Sequence, residues 1–402
     1  MSKKISVLLI ICIMCGVLQA CSNQPEIIPQ NGVSYRAGSG DIYNNIFFIC
    51  DRKTGSPNYS IFYYSLPEGD APLLSNLSLS SLHLCADVLC SHTDESCPAY
   101  LKTPVYSIVV DKKESDQNNA SPILYMFDHN QIKKYDVAAN SNKIIKEYED
   151  GYPLSMWVYE DWIYTSFLEG KEIQLRRIDK QGNNEIIYSR KDKEISCRII
   201  GFDQSYMYYV DFLSNYYRID LSLTNEEFLF STNCFVNGYI SNGFLYYCDD
   251  LTSTTFSNTN FETCNLYRYN LRSTTSEKEF LDDNILISVT PMVFFADDKI
   301  LYNKCSPDKI GENVLTDESG TNFIADVWRS GSSKMYAYDT KKENHYILFE
   351  DSGYELSRFY YADDRVILFR AIEYYQDPSG TWYQTSNLVL YDYVANTITT
   401  LT

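Results

Sequence analysis

The sequence predicts an all-β β-propeller, with seven blades of four antiparallel strands as the simplest arrangement and six or eight blades as alternatives. Three observations predict this fold. One phrase recurs along the chain at intervals of 41 to 69 residues, short apolar strands alternate with turn residues, and the 402 residues include 36 Tyr, 20 Phe and 4 Trp. A sandwich would also have regular turns, but only a repeat architecture explains the period.

The recurring phrase ends in a third strand whose last residue is Asp or Asn. Its copies are 132–136, 175–179, 216–220, 266–270, 335–339 and 389–392, with a weaker one at 61–65. Seven aromatic second strands precede these copies: 45–50, 123–127, 162–165, 206–210, 244–248, 300–302 and 366–369. Turn residues such as Asn242-Gly243 introduce several of them, as expected for hairpins. Seven second strands indicate seven blades.

In this pattern residues 32–402 resemble the TolB-like and YWTD-like propellers, and in particular the propeller lipoproteins of anaerobic bacteria. The resemblance rests on the period and on aromatic dipeptides, so it implies a single propeller domain and transfers no catalytic residue. The chain ends on a fourth strand of its own last blade. Closure of the ring then depends on side-chain packing, unless the segment around Val33 to Tyr35 completes that blade.

The first 20 residues are typical of a secretion signal. Lys3 and Lys4 precede an apolar run from Val7 to Leu18, which is too short to span a bilayer as a helix. The run ends in Leu18-Gln19-Ala20-Cys21, which resembles the lipobox of bacterial lipoproteins. This predicts lipidation of Cys21, a tether over 21–31 and an extracytoplasmic protein anchored to the cell membrane. A plain secretory signal with an incidental Cys is the alternative.

Five long connections are expected to project from one face of the ring, where binding residues concentrate. They are 51–59, 76–103, 249–263, 303–334 and 371–386. Two of them contain large aromatic residues suited to stacking on a sugar or an apolar partner: Trp328, Tyr374, Tyr375, Trp382 and Tyr383. The alternative is that these aromatics pack loop against loop.

The insertion at about 76–103 contains Cys85, Cys90, His92 and Cys97. Three thiolates and an imidazole form a complete tetrahedral set for a structural zinc ion, with His83 as a spare ligand. The alternative is a disulfide or free thiols, since exported proteins oxidise their cysteines. Elsewhere, Cys248 and Cys264 flank one hairpin and are a predicted disulfide pair.

The composition and the motifs limit the classes of function that the protein can have. The net charge of −19 argues against a nucleic-acid partner. The chain has four His and none of the common hydrolase, metalloprotease or nucleotide-binding motifs. We therefore expect a lipid-anchored binding or scaffold protein for a glycan, peptide or protein. The alternatives are an extracellular polysaccharide hydrolase or lyase, and a metal- or redox-responsive surface sensor.

Overall fold

Runs of β-branched and aromatic residues, separated by Asp, Asn and Gly turns, form the strands of this protein. A computed structural model describes residues 40–44, 46–51, 59–65, 82–87, 89–92, 94–102, 108–149, 152–169, 172–190, 197–234, 238–256, 259–272, 278–287, 293–296, 299–316, 321–331, 334–350, 355–362, 366–392 and 395–401. The predicted signal, tether and Val33–Tyr35 segment lie outside these residues.

The first three blades are antiparallel sheets of sequential strands. Blade 1 contains β1 (Gly40–Tyr43), β2 (Ile46–Asp51), β3 (Tyr59–Ser65), β4 (Leu82–His83) and β5 (Tyr100–Leu101). Blade 2 contains β6 (Ile108–Val110), β7 (Ile123–Asp128), β8 (Gln131–Asp136) and β9 (Ser141–Glu147). Blade 3 contains β10 (Tyr152–Tyr159), β11 (Trp162–Glu169), β12 (Glu172–Asp179) and β13 (Glu185–Arg190).

The remaining four blades follow the same order, with one extra hairpin. Blade 4 contains β14 (Cys197–Phe202), β15 (Tyr206–Asp211), β16 (Asn215–Asp220) and β17 (Glu226–Ser231). Blade 5 contains β18 (Tyr239–Ser241), β19 (Phe244–Phe256), β20 (Thr259–Asn270) and β21 (Lys278–Ile287). Blade 6 contains β22 (Val293–Ala296), β23 (Lys299–Tyr302), β26 (Lys334–Asp339) and β27 (Asn344–Glu350), with the hairpin β24 (Cys305–Thr316) and β25 (Asn322–Gly331) inserted between β23 and β26. Blade 7 contains β28 (Glu355–Ala362), β29 (Val366–Gln376), β30 (Trp382–Asp392) and β31 (Thr397–Leu401).

The protein is thus an all-β propeller of seven blades, and the predicted fold is confirmed. In the described part of the chain the single helix is α1 (Lys112–Gln117). None of the described helices is long and apolar enough to cross a membrane.

The Asp or Asn that ends each repeated phrase has a local structural role. Its side chain accepts backbone N–H groups from the turn between the third and fourth strands. The recipients are Asp136 (from Ala139), Asp179 (from Gln181, Asn183 and Asn184), Asp220 (from Thr224 and Asn225), Asn270 (from Arg272), Asp339 (from Lys341 and Lys342) and Asp392 (from Ala395). Because these turn amides have no ladder partner, an acceptor side chain at this position stabilises the turn in blades 2 to 7.

The core is divided into seven apolar clusters, and each lies chiefly between two neighbouring blades. The cluster that closes the ring joins blade 1 to blade 7 and contains Phe47, Ile49, Phe62, Tyr64, Val366, Leu368, Leu388 and Leu390. Burying a large apolar side chain contributes roughly 2 kcal/mol. The described strands of blades 1 and 7 belong to separate sheets, so these side chains join the two blades by packing.

Candidate functional site

Three long hairpins extend the second and third strands of blades 5, 6 and 7. We name them together the hairpin crest (residues 249–265, 305–331 and 371–387). All three connect a second strand to a third strand, so they leave the same face of the ring. Two of the three contain the aromatic residues that the sequence singles out.

Trp382 lies between two hairpins of the crest. Its backbone N–H donates to Asn313 Oδ1 at 2.7 Å, and Asn313 Nδ2 donates to the Trp382 carbonyl at 3.0 Å. A methyl group added at Gly311 would lie 2.0 Å from Trp382 Nε1, so the indole rests directly on the β24 backbone. Trp382 therefore packs loop against loop, one of the two roles the sequence leaves open.

Tyr375 and Tyr383 are the exposed members of the aromatic set that the sequence predicts for the binding face. They are cross-strand partners in the β29–β30 hairpin, and their rings stack with centroids 5.7 Å apart. Tyr375 is 50% exposed and Tyr383 46%. Trp328 and Tyr374 are half-buried. The predicted ligand-binding set thus divides into an exposed Tyr pair and residues that pack within the crest.

The outer part of the β24–β25 hairpin exposes four aliphatic or aromatic side chains that the sequence prediction missed. Val314 pairs with Ile324 and Leu315 with Phe323 across the two strands. Val314 is 69% exposed and Ile324 65%. Two adjacent apolar residues on each side of a turn are the sequence pattern that marks this surface. These residues add an apolar surface to the same face as the Tyr pair.

A polar cluster between blades 5 and 6 bears on the enzyme alternative. Asp282 accepts hydrogen bonds from Tyr302 Oη at 2.5 Å and Lys304 Nζ at 2.6 Å, and His345 Nδ1 lies 2.9 Å from Tyr302 Oη. Burial lowers the pKa of His345. Lys304 Nζ also lies 3.4 Å from Asp283 Oδ1, so one lysine pairs with two adjacent carboxylates. The cluster is an ion-pair network that joins two blades.

The Cys/His segment interrupts the outer strand of blade 1. Both of its ends, Leu84 and Ala99, are hydrogen-bonded to Ile61 of the neighbouring strand β3. Leu84 donates its N–H to the Ile61 carbonyl at 2.9 Å, and Ile61 donates its own N–H to the Ala99 carbonyl at 3.1 Å. The sequence placed this insertion in a fourth-to-first connection, but β4 and β5 both pair with β3. The segment is therefore an insertion within the fourth strand, because the strand pairs with β3 both before and after it.

The four predicted ligands come together in this segment. Cys85 Sγ, Cys90 Sγ, Cys97 Sγ and a His92 ring nitrogen lie within 4.8 Å of one another. His92 Nδ1 is 3.3 Å from Cys97 Sγ. Cys85 and Cys97 are buried, while Cys90 and His92 are half-buried. The spare ligand His83 lies outside this group, and its ring stacks on His92 with centroids 4.1 Å apart.

Two similar turns deliver Cys90 and Cys97. In the first, Asp87 Oδ1 accepts the Leu89 N–H at 2.9 Å and the Asp87 carbonyl accepts the Cys90 N–H at 3.1 Å. In the second, Asp94 makes the same two bonds to Ser96 and Cys97, at the same distances. Sequence reasoning missed these aspartates, although Asp-x-x-Cys occurs twice, seven residues apart.

Each turn also directs a backbone N–H to its cysteine sulfur. The His92 N–H donates to Cys90 Sγ at 3.4 Å, and the Ala99 N–H donates to the Cys97 sulfur. Burial raises the pKa of the Cys97 thiol to about 12, and its neighbours Cys90 and Cys85 add to the rise. His92 adopts a left-handed backbone conformation with a φ of 57°, which reverses the chain direction just after Cys90.

The cluster also contacts blade 2 at the β8–β9 turn. Ala86 N–H donates to Asn140 Oδ1 at 3.2 Å, and Asn142 Nδ2 donates to the Pro98 carbonyl at 2.9 Å. Tyr135 Oη donates to the Leu84 carbonyl at 3.3 Å. This turn joins third and fourth strands and so lies on the opposite face from the crest. The expectation that all five insertions share one face is wrong for this one.

Among the described cysteines outside this cluster, Cys234, Cys248, Cys264 and Cys305 form no disulfide. Cys248 and Cys264, the predicted disulfide pair, lie on adjacent strands of blade 5, and the Cys264 thiol is hydrogen-bonded with both Cys248 and Cys234. All three are buried in the apolar cluster between blades 5 and 6. Their sulfur atoms are not bonded, and the disulfide remains a prediction for the oxidised protein.

Several solved structures are similar to this chain at low sequence identity. TolB from Acinetobacter baumannii is 10% identical, with a TM-score of 0.40 over 75% of this chain and 63% of that one. A chain of the nidogen/laminin complex is 10% identical, with a TM-score of 0.37 over 68% of this chain and 90% of that one. Prolyl oligopeptidase B from Galerina marginata is 12% identical, with a TM-score of 0.44 over 89% and 46%. Searches found no matching family model and no matching curated protein.

Proposed function

We propose that this propeller is an extracytoplasmic binding protein that presents the hairpin crest to a peptide or protein partner. The main support for this proposal is the exposed apolar and aromatic surface of the crest. It combines the stacked pair Tyr375 and Tyr383 with the apolar outer part of the β24–β25 hairpin. Exposed aromatic anchors next to aliphatic side chains are typical of protein recognition surfaces.

The blade 6 and blade 7 hairpins of the crest pack against each other, which suits a binding surface. Trp382 fixes the blade 7 hairpin to Gly311 and Asn313 of the blade 6 hairpin. Near the base, Lys309 pairs with Asp326 at 2.8 Å and Arg329 pairs with Asp308 at 3.1 Å. A surface ordered before binding loses less conformational entropy when it binds.

Membrane attachment through Cys21 is the second part of the proposal. It is supported by the order of positive charge, apolar run and lipobox-like residues at the start of the sequence. Acyl chains would hold the protein at the membrane, and 21–31 would be the tether. Expression of the full chain with a labelled fatty acid should label the wild type and leave Cys21→Ala unlabelled. Equal labelling of both would contradict anchoring at Cys21.

The crest is tested by screening the full chain, in detergent, against peptide and glycan arrays. We expect peptide ligands whose affinity falls at least tenfold in the double variant Tyr375→Ala/Tyr383→Ala. The matched control is Phe228→Ala/Phe280→Ala, since both Phe residues are 54% exposed on outer strands away from the crest. Equal affinity of the wild type and the Tyr variant would contradict the assignment. If the arrays showed binding to glycans alone, the partner would be a carbohydrate and not a peptide.

A further inference from the structure

The Cys/His segment has the geometry of a tetrahedral metal site, and this inference is independent of the proposed function. Its four ligand atoms lie within 4.8 Å of one another. A zinc–sulfur distance of about 2.3 Å places the ligand atoms of a tetrahedral site about 3.8 Å apart. Shifts of about 1 Å would therefore bring all four atoms into a first coordination shell.

The backbone supports these ligands without help from an ion. Asp87 and Asp94 form matching turns before Cys90 and Cys97, and the amides of His92 and Ala99 point at the two sulfur atoms. Such amides stabilise thiolates and orient them, as outer-shell hydrogen bonds do in metal sites. A segment with little regular secondary structure has no other evident reason to direct three thiols and an imidazole to one point.

The chemistry of the donor set selects the metal. Three sulfur ligands and one imidazole suit zinc, and exclude the oxygen-preferring calcium and magnesium ions. A disulfide between any two of the cysteines would leave the third thiol and His92 unused at the same point. We propose that Cys85, Cys90, His92 and Cys97 bind one zinc ion, with the cysteines as thiolates.

The site would be structural. Four protein ligands fill a tetrahedral shell and leave no position for a substrate or catalytic water. The ion would close the excursion between Leu84 and Ala99, whose ends both meet Ile61. Because this excursion also contacts Asn140 and Asn142, the ion would help fasten the outer strand of blade 1 to blade 2. His83 would pack behind the ligand His92.

The test is the metal content of the full chain purified without oxygen. We expect about one zinc per chain in the wild type and less than a tenth of that in Cys90→Ser and His92→Ala. Cys305→Ser is the matched control, since it removes a half-buried cysteine outside the cluster and should retain the metal. His92→Cys supplies a fourth thiolate and should bind zinc, unlike His92→Ala. Zinc binding by His92→Cys would show that His92→Ala loses the metal because a ligand is missing and not because the chain fails to fold.

Cobalt substitution gives a second measurement. Tetrahedral Co²⁺ bound by thiolates should give sulfur-to-cobalt charge-transfer absorption in the wild type and in His92→Cys. Cys90→Ser should weaken or shift this absorption, while Cys305→Ser should not. Metal-free protein that also fails to bind Co²⁺ would overturn the proposal. Equal zinc in wild type and Cys90→Ser, or a disulfide within the cluster in the anaerobic protein, would overturn it as well.

Discussion

Two groups of three cysteines in this propeller each border an apolar cluster, but they differ in the backbone and the side chains beside them. Cys85, Cys90 and Cys97 lie in an excursion of irregular backbone, beside a histidine and two aspartate turns. Cys234, Cys248 and Cys264 are buried among Tyr and Leu side chains between blades 5 and 6. The first group has amides directed at sulfur and an edge open to solvent. The second has an apolar environment that disfavours a thiolate.

Burial raises the pKa of cysteines in both groups, so burial alone does not separate them. Hydrogen bonds with Cys234 and Cys248, together with burial, raise the pKa of the Cys264 thiol. The hydrogen bond with Cys264 lowers the pKa of Cys248, but burial and neighbouring charges outweigh it. Both thiols therefore stay protonated and pack as small apolar side chains, whereas the first group has an imidazole beside its thiols.

The largest effect should follow a charge placed in the buried group. Cys248→Asp would bury a carboxylate with no cation beside it, and we expect the free energy of unfolding to fall by more than about 3 kcal/mol. Urea denaturation of this variant and of Cys248→Ala measures the loss. Zinc content should not change in Cys248→Ala. A tolerated Asp would mean that the group is neither apolar nor tightly packed.

Removal of one ligand from the first group should cost less. A crosslink that closes a loop of about 15 residues contributes about 3 kcal/mol in the chain-entropy model. Because the excursion is local, we expect Cys90→Ser to lower stability by about 1–3 kcal/mol and to speed proteolysis within 84–99. Limited proteolysis followed by mass spectrometry locates the cuts. Protection equal to that of the wild type would show that no ion holds the excursion.

The aspartate turns should have a smaller effect. Asp94→Ala removes the acceptor for Ser96 while every ligand remains, so we expect about tenfold weaker zinc binding, equivalent to about 1.4 kcal/mol. Competition with a chromogenic chelator measures the affinity. The control is Glu95→Ala, which removes the neighbouring acid paired with Lys102 and leaves the turn intact. Equal affinities in both variants would remove the turn from the account.

The smallest effect is expected at His83. Because its ring stacks on His92 and lies outside the ligand group, His83→Leu should keep a full equivalent of zinc. A chelator titration of this variant should overlay that of the wild type. Loss of the metal in this variant would indicate that His83, and not His92, is the ligand.

Much of the fold could be predicted because each blade repeats its own local chemistry. The Asp or Asn that ends the third strand accepts turn amides in blades 2 to 7, so it marks the period in the sequence. The last blade also has its own outer strand, β31, as predicted. These features depend on contacts between residues close in the chain.

The candidate sites were predicted less completely because they depend on distant contacts. The four ligands could be identified from residue type, but not the interruption of the blade 1 outer strand, which follows from pairing with Ile61. The sequence left Trp382 with two possible roles, at a binding surface or in packing between loops, and its packing on Gly311 joins residues 71 positions apart. The exposed Val314 and Ile324 have an ordinary strand sequence, so only the position of their hairpin shows them on the surface.

The most direct test of the contrast is X-ray absorption at the zinc edge, measured on the anaerobically purified full chain. The account predicts one zinc per chain with three sulfur neighbours at about 2.3 Å and one nitrogen at about 2.0 Å. The spectrum should be unchanged in Cys264→Ser and altered in Cys97→Ser. A protein without zinc, or a zinc shell of oxygen and nitrogen alone, would contradict the central claim.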